Sequence, residues 1–229
     1  MCGAAKNAMS IFSPFFQHPT ESLIRWQNTR WPWGIIAAAM IIMVLIAHYV
    51  FQNWLHMLPC EQCVYIRYGN LVMALGCLIA MIDPKRLVLK LIGYVITLYG
   101  LIFTVNCSVL LIRIHHAVHS DDPTAMFGLQ GCSTQPNYPF GLKLEQYAPD
   151  WFLPTGDCGY DAPVVPADAQ LGSLQAWFIE FYQSYDGWYL IPQWKFLSMA
   201  ECCLIACAVV VLFLIAMLSG TVLGMVRKQ

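Results

Sequence analysis

The chain has 229 residues, of which 59% are hydrophobic and 11% charged, and it carries a net charge of −1. With a mean hydropathy of +0.57, so apolar a composition excludes an ordinary soluble domain. The near-zero charge offers no electrostatic footprint for nucleic acid, so no nucleic-acid partner is expected.

Taken in chain order, residues 1–32 lack an apolar core and read as a cytoplasmic segment with no cleavable signal peptide. Four stretches then follow that can cross a hydrocarbon layer of about 30 Å, which takes about 20 helical residues. They are 33–51, 64–82, 87–112 and 196–218, and the first serves as an uncleaved insertion signal. The turn between the second and third is "DPK", tight enough to force an antiparallel hairpin. Residues 113–195 form a long outward loop rich in Pro, Gly, Asp and aromatics, too long to be structureless without a purpose. Within it, Leu171, Leu174, Phe178, Phe181 and Tyr185 recur at helical spacing and predict a membrane-surface helix. Trp31, Trp33, Trp54, Trp188 and Trp194 fall near span ends, as an interfacial aromatic belt does. The fold class expected is an all-α membrane protein: one domain, a four-transmembrane-helix bundle whose periplasmic loop carries a short surface helix.

Lys and Arg set the orientation. Lys6, Arg25, Arg30, Lys85, Arg86, Lys90, Arg227 and Lys228 fall on one side, which should be the cytoplasm, with both termini. The segment 115–192 holds nine acids (Asp121, Asp122, Glu145, Asp150, Asp157, Asp161, Asp168, Glu180 and Asp186) against one base, Lys143, and should face outward.

Of the ten cysteines, Cys2 lies in the N-terminal segment and the other nine divide into two populations. Cys77, Cys107, Cys202, Cys203 and Cys207 lie in apolar spans, where a thiol behaves as a small hydrophobe. Cys60, Cys63, Cys132 and Cys158 all fall on the outward face. A zinc site would usually show two short-spaced pairs, whereas Cys132 and Cys158 stand 26 apart. Two inert structural disulfides fit poorly too, because a CxxC bridge closes too small a loop to constrain much chain. Redox chemistry is the reading that remains strongest, in an oxidising compartment where disulfides persist. In "LPCEQCVYIR", Cys63 and Arg67 are i and i+4 on one helical face. The helix amino end and the permanent guanidinium charge both favour a thiolate at Cys63. An arginine just inside a membrane is costly and suggests function, against the plainer reading that it snorkels to the headgroups.

"LPCEQCVYIR", the four-span layout, "PTGDCG" at 154–159 and "IPQWKF" at 191–196 together resemble the DsbB family of disulfide-generating quinone reductases. About thirty residues between Cys158 and "PQW", and the extended N-terminal stretch, are most similar to the DsbI branch, which serves a dedicated thioredoxin-fold partner. Ile66 precedes Arg67 where the general-purpose member carries an acidic residue, a departure that bears on the quinone pocket. The resemblance implies a bacterial inner-membrane enzyme that reoxidises a periplasmic DsbA-like or DsbL-like dithiol oxidase. It implies that Cys132 and Cys158 form the disulfide attacked by the partner, at Cys132, and that Cys158 then exchanges with Cys60. Cys63 would face a membrane quinone, ubiquinone or alternatively menaquinone, with Arg67 at a quinone oxygen. His116, at the outer end of the third span, is a further quinone contact or an ordinary interfacial residue. Two rival functions stand beside this one. The first is a metal-binding membrane protein using the cysteines with His56, His115, His116 and His119. The second is a conduit carrying electrons outward, against which stands the lack of an inward-facing CxxC.

Overall fold

The computed structural model describes residues 19–120, 124, 132–159, 162–184 and 189–226. Cys2, Lys6, Asp121, Asp122, Asp161, Tyr185, Asp186, Trp188, Arg227 and Lys228 lie outside the described residues. A short helix α1 (Pro19–Trp26) leads into α2 (Trp31–Leu45), which continues as a π-helical segment, Ile46–Trp54. Helices α3 (Glu61–Ile82) and α4 (Leu87–Val118) form the hairpin, and the short α5 (Leu144–Tyr147) and α6 (Pro149–Phe152) follow. Then come α7 (Ser173–Ser184), a two-stranded antiparallel ribbon of β1 (Tyr189–Ile191) and β2 (Phe196–Ser198), and α8 (Met199–Val226). Among the described residues, four helices are long and apolar enough to cross a membrane: Trp31–Trp54, Glu61–Ile82, Leu87–Val118 and Met199–Val226. The protein is an all-α, multi-pass membrane protein.

The hairpin turn is built by Asp83. Its carboxylate accepts the Lys85 amide at 3.2 Å and pairs with the Arg86 guanidinium at 3.0 Å, while its carbonyl accepts the Arg86 amide. Below the turn, α3 and α4 approach closely enough to bring backbones into contact. Gly69 and Gly76 on α3 face Gly100 and Gly93 on α4, two seven-residue spacings running antiparallel. A Cβ on Gly76 would sit 2.5 Å from Thr97 Oγ1 and 2.8 Å from the Gly93 carbonyl. One on Gly100 would sit 2.7 Å from the Gly69 carbonyl. In lipid, where burying apolar surface drives no association, such close packing is what holds helices together. The central core completes this interface with Trp33, Met40, Met73, Cys77 and Met217.

Two expectations change in detail. Trp33 is fully buried against Tyr94, so the aromatic belt is carried by exposed residues such as Trp31 and Trp194. Helix α7 forms with Ile179 and Tyr182 buried on Leu55 and Met57; Leu171, Phe178 and Phe181 of the expected stripe pack half-buried against the same cluster, while Leu174 points outward. The 3.6-residue period identified the helix and part of its inward face; the loop beneath it added Ile179 and Tyr182 as the most buried positions. Replacing Gly76 by Leu should cost about 1–3 kcal/mol or more, because backbone rather than a flexible side chain must move. The melting temperature of the detergent-solubilised variant checks this, and an unchanged value would show that α3 and α4 separate freely.

Candidate functional site

Cys60 is the N-cap of α3. Its extended backbone (φ −80°, ψ 169°) turns the chain into the helix, and its sulfur accepts the Cys63 amide at 3.2 Å. Cys60 and Cys63 are disulfide-bonded with Cα atoms 5.0 Å apart; Cys60 is fully buried and Cys63 half-buried.

The second pair, Cys132–Cys158, is also bonded, with Cα atoms 5.8 Å apart. Its loop is fastened to the first pair by main-chain bonds. The Thr155 and Gly156 amides both donate to the Pro59 carbonyl, at 2.9 and 3.1 Å. Gly156 has to be glycine here, since a Cβ would come within 2.6 Å of the Leu58 carbonyl. Cys158 consequently packs in one buried cluster with Cys60, Leu111, Ile114 and Ala200, with Cys63 and Cys132 against it.

Cys132 is held from the other side by the CxxC helix itself. Glu61, the first residue of α3, accepts the Ser133 amide at 2.8 Å and the Tyr65 hydroxyl at 3.0 Å. Tyr65 in turn accepts the Asn137 amide at 2.7 Å. Tyr138 is buried between Tyr65 and Tyr68 and donates to the Phe152 carbonyl at 2.6 Å; burial pushes its phenol up.

Beyond Cys63 lies an apolar cavity of about 120 Å³ between α2, α3, α4 and α8. Its walls include Met43, Phe51, Leu111 and Met199, and its polar edge is Cys63, Arg67 and Asn70. Arg67 is 5% exposed and neutral acceptors surround it: Gln52 Oε1 at 2.6 Å, the Trp151 carbonyl at 3.2 Å and the Ala47 carbonyl at 3.3 Å. The widened π-helical turn and α6 supply these groups, fixed together by a Gln52 bond to the Asp150 carbonyl and by Trp151 stacked on His48 at 3.8 Å. π-helical turns recur at functional sites. Those bonds occupy three of the five guanidinium N–H groups. The remaining donors, the Asn70 amide and the apolar walls fit a flat neutral ring carrying two carbonyl oxygens.

Cys60, Cys63, Cys132, Cys158 and Arg67 therefore come together at one end of the bundle. His116 does not join them: it is exposed and outside the cavity lining, while its neighbour His115 turns inward against Tyr189. Successive helical residues point about 100° apart, so only one of the pair can face the bundle. Among the described residues no three His, Cys, Asp or Glu side chains converge as metal ligands. Glu61, Tyr65, Gln52, His48 and Asn70 escaped the sequence reading. Asn70 had a signal, since 63, 67 and 70 form one helical stripe; the others depend on contacts across 15 residues (Gln52 to Arg67), 72 (Glu61 to Ser133 and Tyr65 to Asn137) or more (His48 to Trp151). Cys203, taken as inert, lines the cavity beside Cys63.

Two linked disulfides at the mouth of a membrane bundle define a thiol–disulfide exchange centre embedded in the bilayer boundary. The profile of the DsbB family, "Disulfide bond formation protein DsbB", matches residues 29–217, and the chain belongs to that family. It is a disulfide-generating oxidoreductase. Relatives named "Protein-disulfide oxidoreductase DsbI" include one from Escherichia coli O1:K1 / APEC, 50% identical over 209 residues, 91% of this chain and 94% of the relative. One from Salmonella typhimurium (strain LT2) is 49% identical over 211 residues, 92% of this chain and 94% of the relative. A "Putative protein-disulfide oxidoreductase DsbI" from Campylobacter fetus subsp. fetus is 51% identical over 219 residues, 96% of this chain and all of the relative.

Removing the carboxylate with Glu61→Ala should slow exchange between the two cysteine pairs about tenfold, the effect of losing one charge-assisted hydrogen bond. Glu61→Gln, which keeps an acceptor, should lose less. Thiol alkylation after rapid mixing reads the rate; equal rates in Glu61→Ala and the parent would remove Glu61 from the site. The Tyr138 phenol has a second consequence. Because folding raises its value above the free one near 10, its contribution to loop docking is whole below about pH 10 and is lost as pH climbs through the folded value. Ultraviolet titration against Tyr138→Phe should show one tyrosine ionising late, and its absence would mean that the ring is solvated.

Proposed function

We propose that the chain reoxidises a soluble thioredoxin-fold dithiol oxidase, of the DsbA or DsbL type, and delivers the electrons to a quinone in the bacterial inner membrane. The observation that carries this reading is the shared cluster of the two disulfides, with Cys63 and Arg67 on one cavity wall. The cysteine end of the bundle faces the periplasm and both termini face the cytoplasm, in keeping with the placement of the basic residues.

A thiolate of the partner attacks Cys132, breaking the Cys132–Cys158 bond through a mixed disulfide. The partner's second thiol then resolves it, leaving the partner oxidised and both cysteines reduced. Cys158, as thiolate, attacks Cys60 and releases Cys63, and Cys132 displaces Cys60 to restore its bond with Cys158. Two electrons and two protons now reside on the Cys60–Cys63 pair. Cys60 sits where the α3 amino end presents its positive potential, so the helix stabilises negative charge on the pair. A bound quinone supplies the two-electron, two-proton acceptor that lets the pair close again. Arg67 orients a carbonyl oxygen with its uncommitted N–H groups and offsets charge gathering there, and the apolar walls exclude water. Asn70, on the cavity wall, would serve as the further polar contact, and His116 then reads as an interfacial residue. Ubiquinone is our reading of the carrier, with menaquinone the alternative that extraction of the purified protein separates.

Cys132→Ala should abolish oxidation of a reduced DsbA-like or DsbL-like protein while the Cys60–Cys63 disulfide stays formed. Arg67→Lys keeps the charge but loses the fork, and should raise the KM for quinone at least about tenfold, the effect of roughly 1.4 kcal/mol. Quinone absorbance in steady-state assays measures both. Turnover by Cys132→Ala at the parental rate would overturn the relay order.

A further inference from the structure

The end of the bundle away from the cysteines holds a second polar site that electron transfer does not use. It lies the length of α3 from Cys60, 22 residues or about 33 Å. Lys90, in the first turn of α4, is 3% exposed. Its ammonium donates to the side-chain oxygens of Gln27 and Asn28, both neutral, and Thr221 donates to the same Gln27 oxygen at 3.0 Å. A buried ammonium whose described partners are amides is a charge still needing its complement.

The surroundings increase the positive charge. A cavity of about 210 Å³ beside Lys90 shares Asn28 and Lys85 with a larger cavity of about 750 Å³. The larger one is lined by Arg30, Lys85 and Arg86, with Asp83 as the one acid in either lining, and Asp83 already pairs with Arg86. α4 begins there without a side-chain cap and without an acid in its first turn, so its amino-terminal N–H groups add positive potential. The positive-inside rule accounts for the exposed cations, but not for one buried among amides.

Arg30 also lines a third, apolar groove of about 530 Å³ formed with Trp31, Gly34, Ile35, Ala38 and Met81. Trp31 is 78% exposed and Ile35 52% exposed along it. A basic pocket at the membrane boundary thus opens, through one arginine, onto a channel between α2 and α3. We propose that this end binds an anionic phospholipid. Arg30, Lys85 and Lys90 hold the phosphate at the amino end of α4, and one acyl chain lies along the α2–α3 groove.

Native mass spectrometry of the full chain in detergent tests this by titration with phosphatidylglycerol, phosphatidylcholine or inorganic phosphate. Phosphatidylglycerol should bind in preference to phosphatidylcholine, and millimolar inorganic phosphate should not displace it. Binding should weaken roughly fivefold for each cation removed, so that Arg30→Gln/Lys85→Gln loses more than tenfold. Thiol oxidation by that variant in lipid-free detergent should match the parent. Should the double variant fail to fold, Lys85→Gln alone carries the test with the single-step loss. Equal binding of the two lipids, unchanged affinity in the variants, or complete displacement by inorganic phosphate would overturn the proposal.

Discussion

The Pro59 carbonyl accepting two amides from the Cys158 loop is the constraint on which the site depends. Pro59 directly precedes Cys60, the N-cap of α3, so its carbonyl joins the long loop to the CxxC at the point where the helix begins. Without it, Cys158 would be one cysteine in a loop of about eighty residues, and its encounter with Cys60 would be governed by loop closure. With it, both belong to one buried cluster with α4 and α8. Glu61 repeats the device two residues later by holding Ser133, so the residues on either side of Cys60 anchor both halves of the second disulfide. The CxxC helix is therefore the scaffold for the loop as well as the carrier of its own pair.

That scaffold has to be rigid, and glycine packing provides the rigidity. α3 and α4 approach until backbone touches backbone, and Thr97 and Thr104 are fully buried at the crossing. The hairpin in turn fixes the height of Arg67. A guanidinium this deep is tolerated because the π-helical end of the first span and α6 converge carbonyl and amide oxygens on it. The cost of burying the charge is spread over groups that are themselves pinned, through Gln52 to Asp150 and through His48 to Trp151. The loop that carries Asp150 and Trp151 thereby helps set the electrostatics of a cavity inside the bundle.

Much of this was legible in the sequence, and the reasons are physical. Four spans follow from hydrocarbon thickness, and the tight turn follows from "DPK". The Cys63–Arg67 register follows from helical periodicity once a start near Cys60 is accepted, and the structure places the cap on Cys60 itself. Contacts between elements were less legible. Gln52 to Arg67 and Glu61 to Ser133 leave no local pattern, because each joins residues that periodicity treats independently. The paired seven-residue glycine spacings were in plain view, yet a spacing means an interface only when a second helix offers its counterpart in register. The choice of Ile179 and Tyr182 as the most buried positions of α7 was likewise made by Leu55 and Met57 beneath it.

Burial orders the four sulfurs in a way that bears on direction. Cys132 is half-buried at the loop side, Cys158 and Cys60 are buried against each other's surroundings, and Cys63 is half-buried at the cavity. The two ends of the proposed relay are thus its accessible sulfurs, and its middle is enclosed. Attack by a soluble thiolate is restricted by access to the first sulfur, and loss of electrons to the lipid phase is restricted to the last. A short circuit would need a partner thiolate to reach Cys60 or Cys63 directly, past the loop that Pro59 and Glu61 hold in place. The same bonds that bring the pairs together therefore shield the inner one, and a chain that released the loop would lose specificity along with speed.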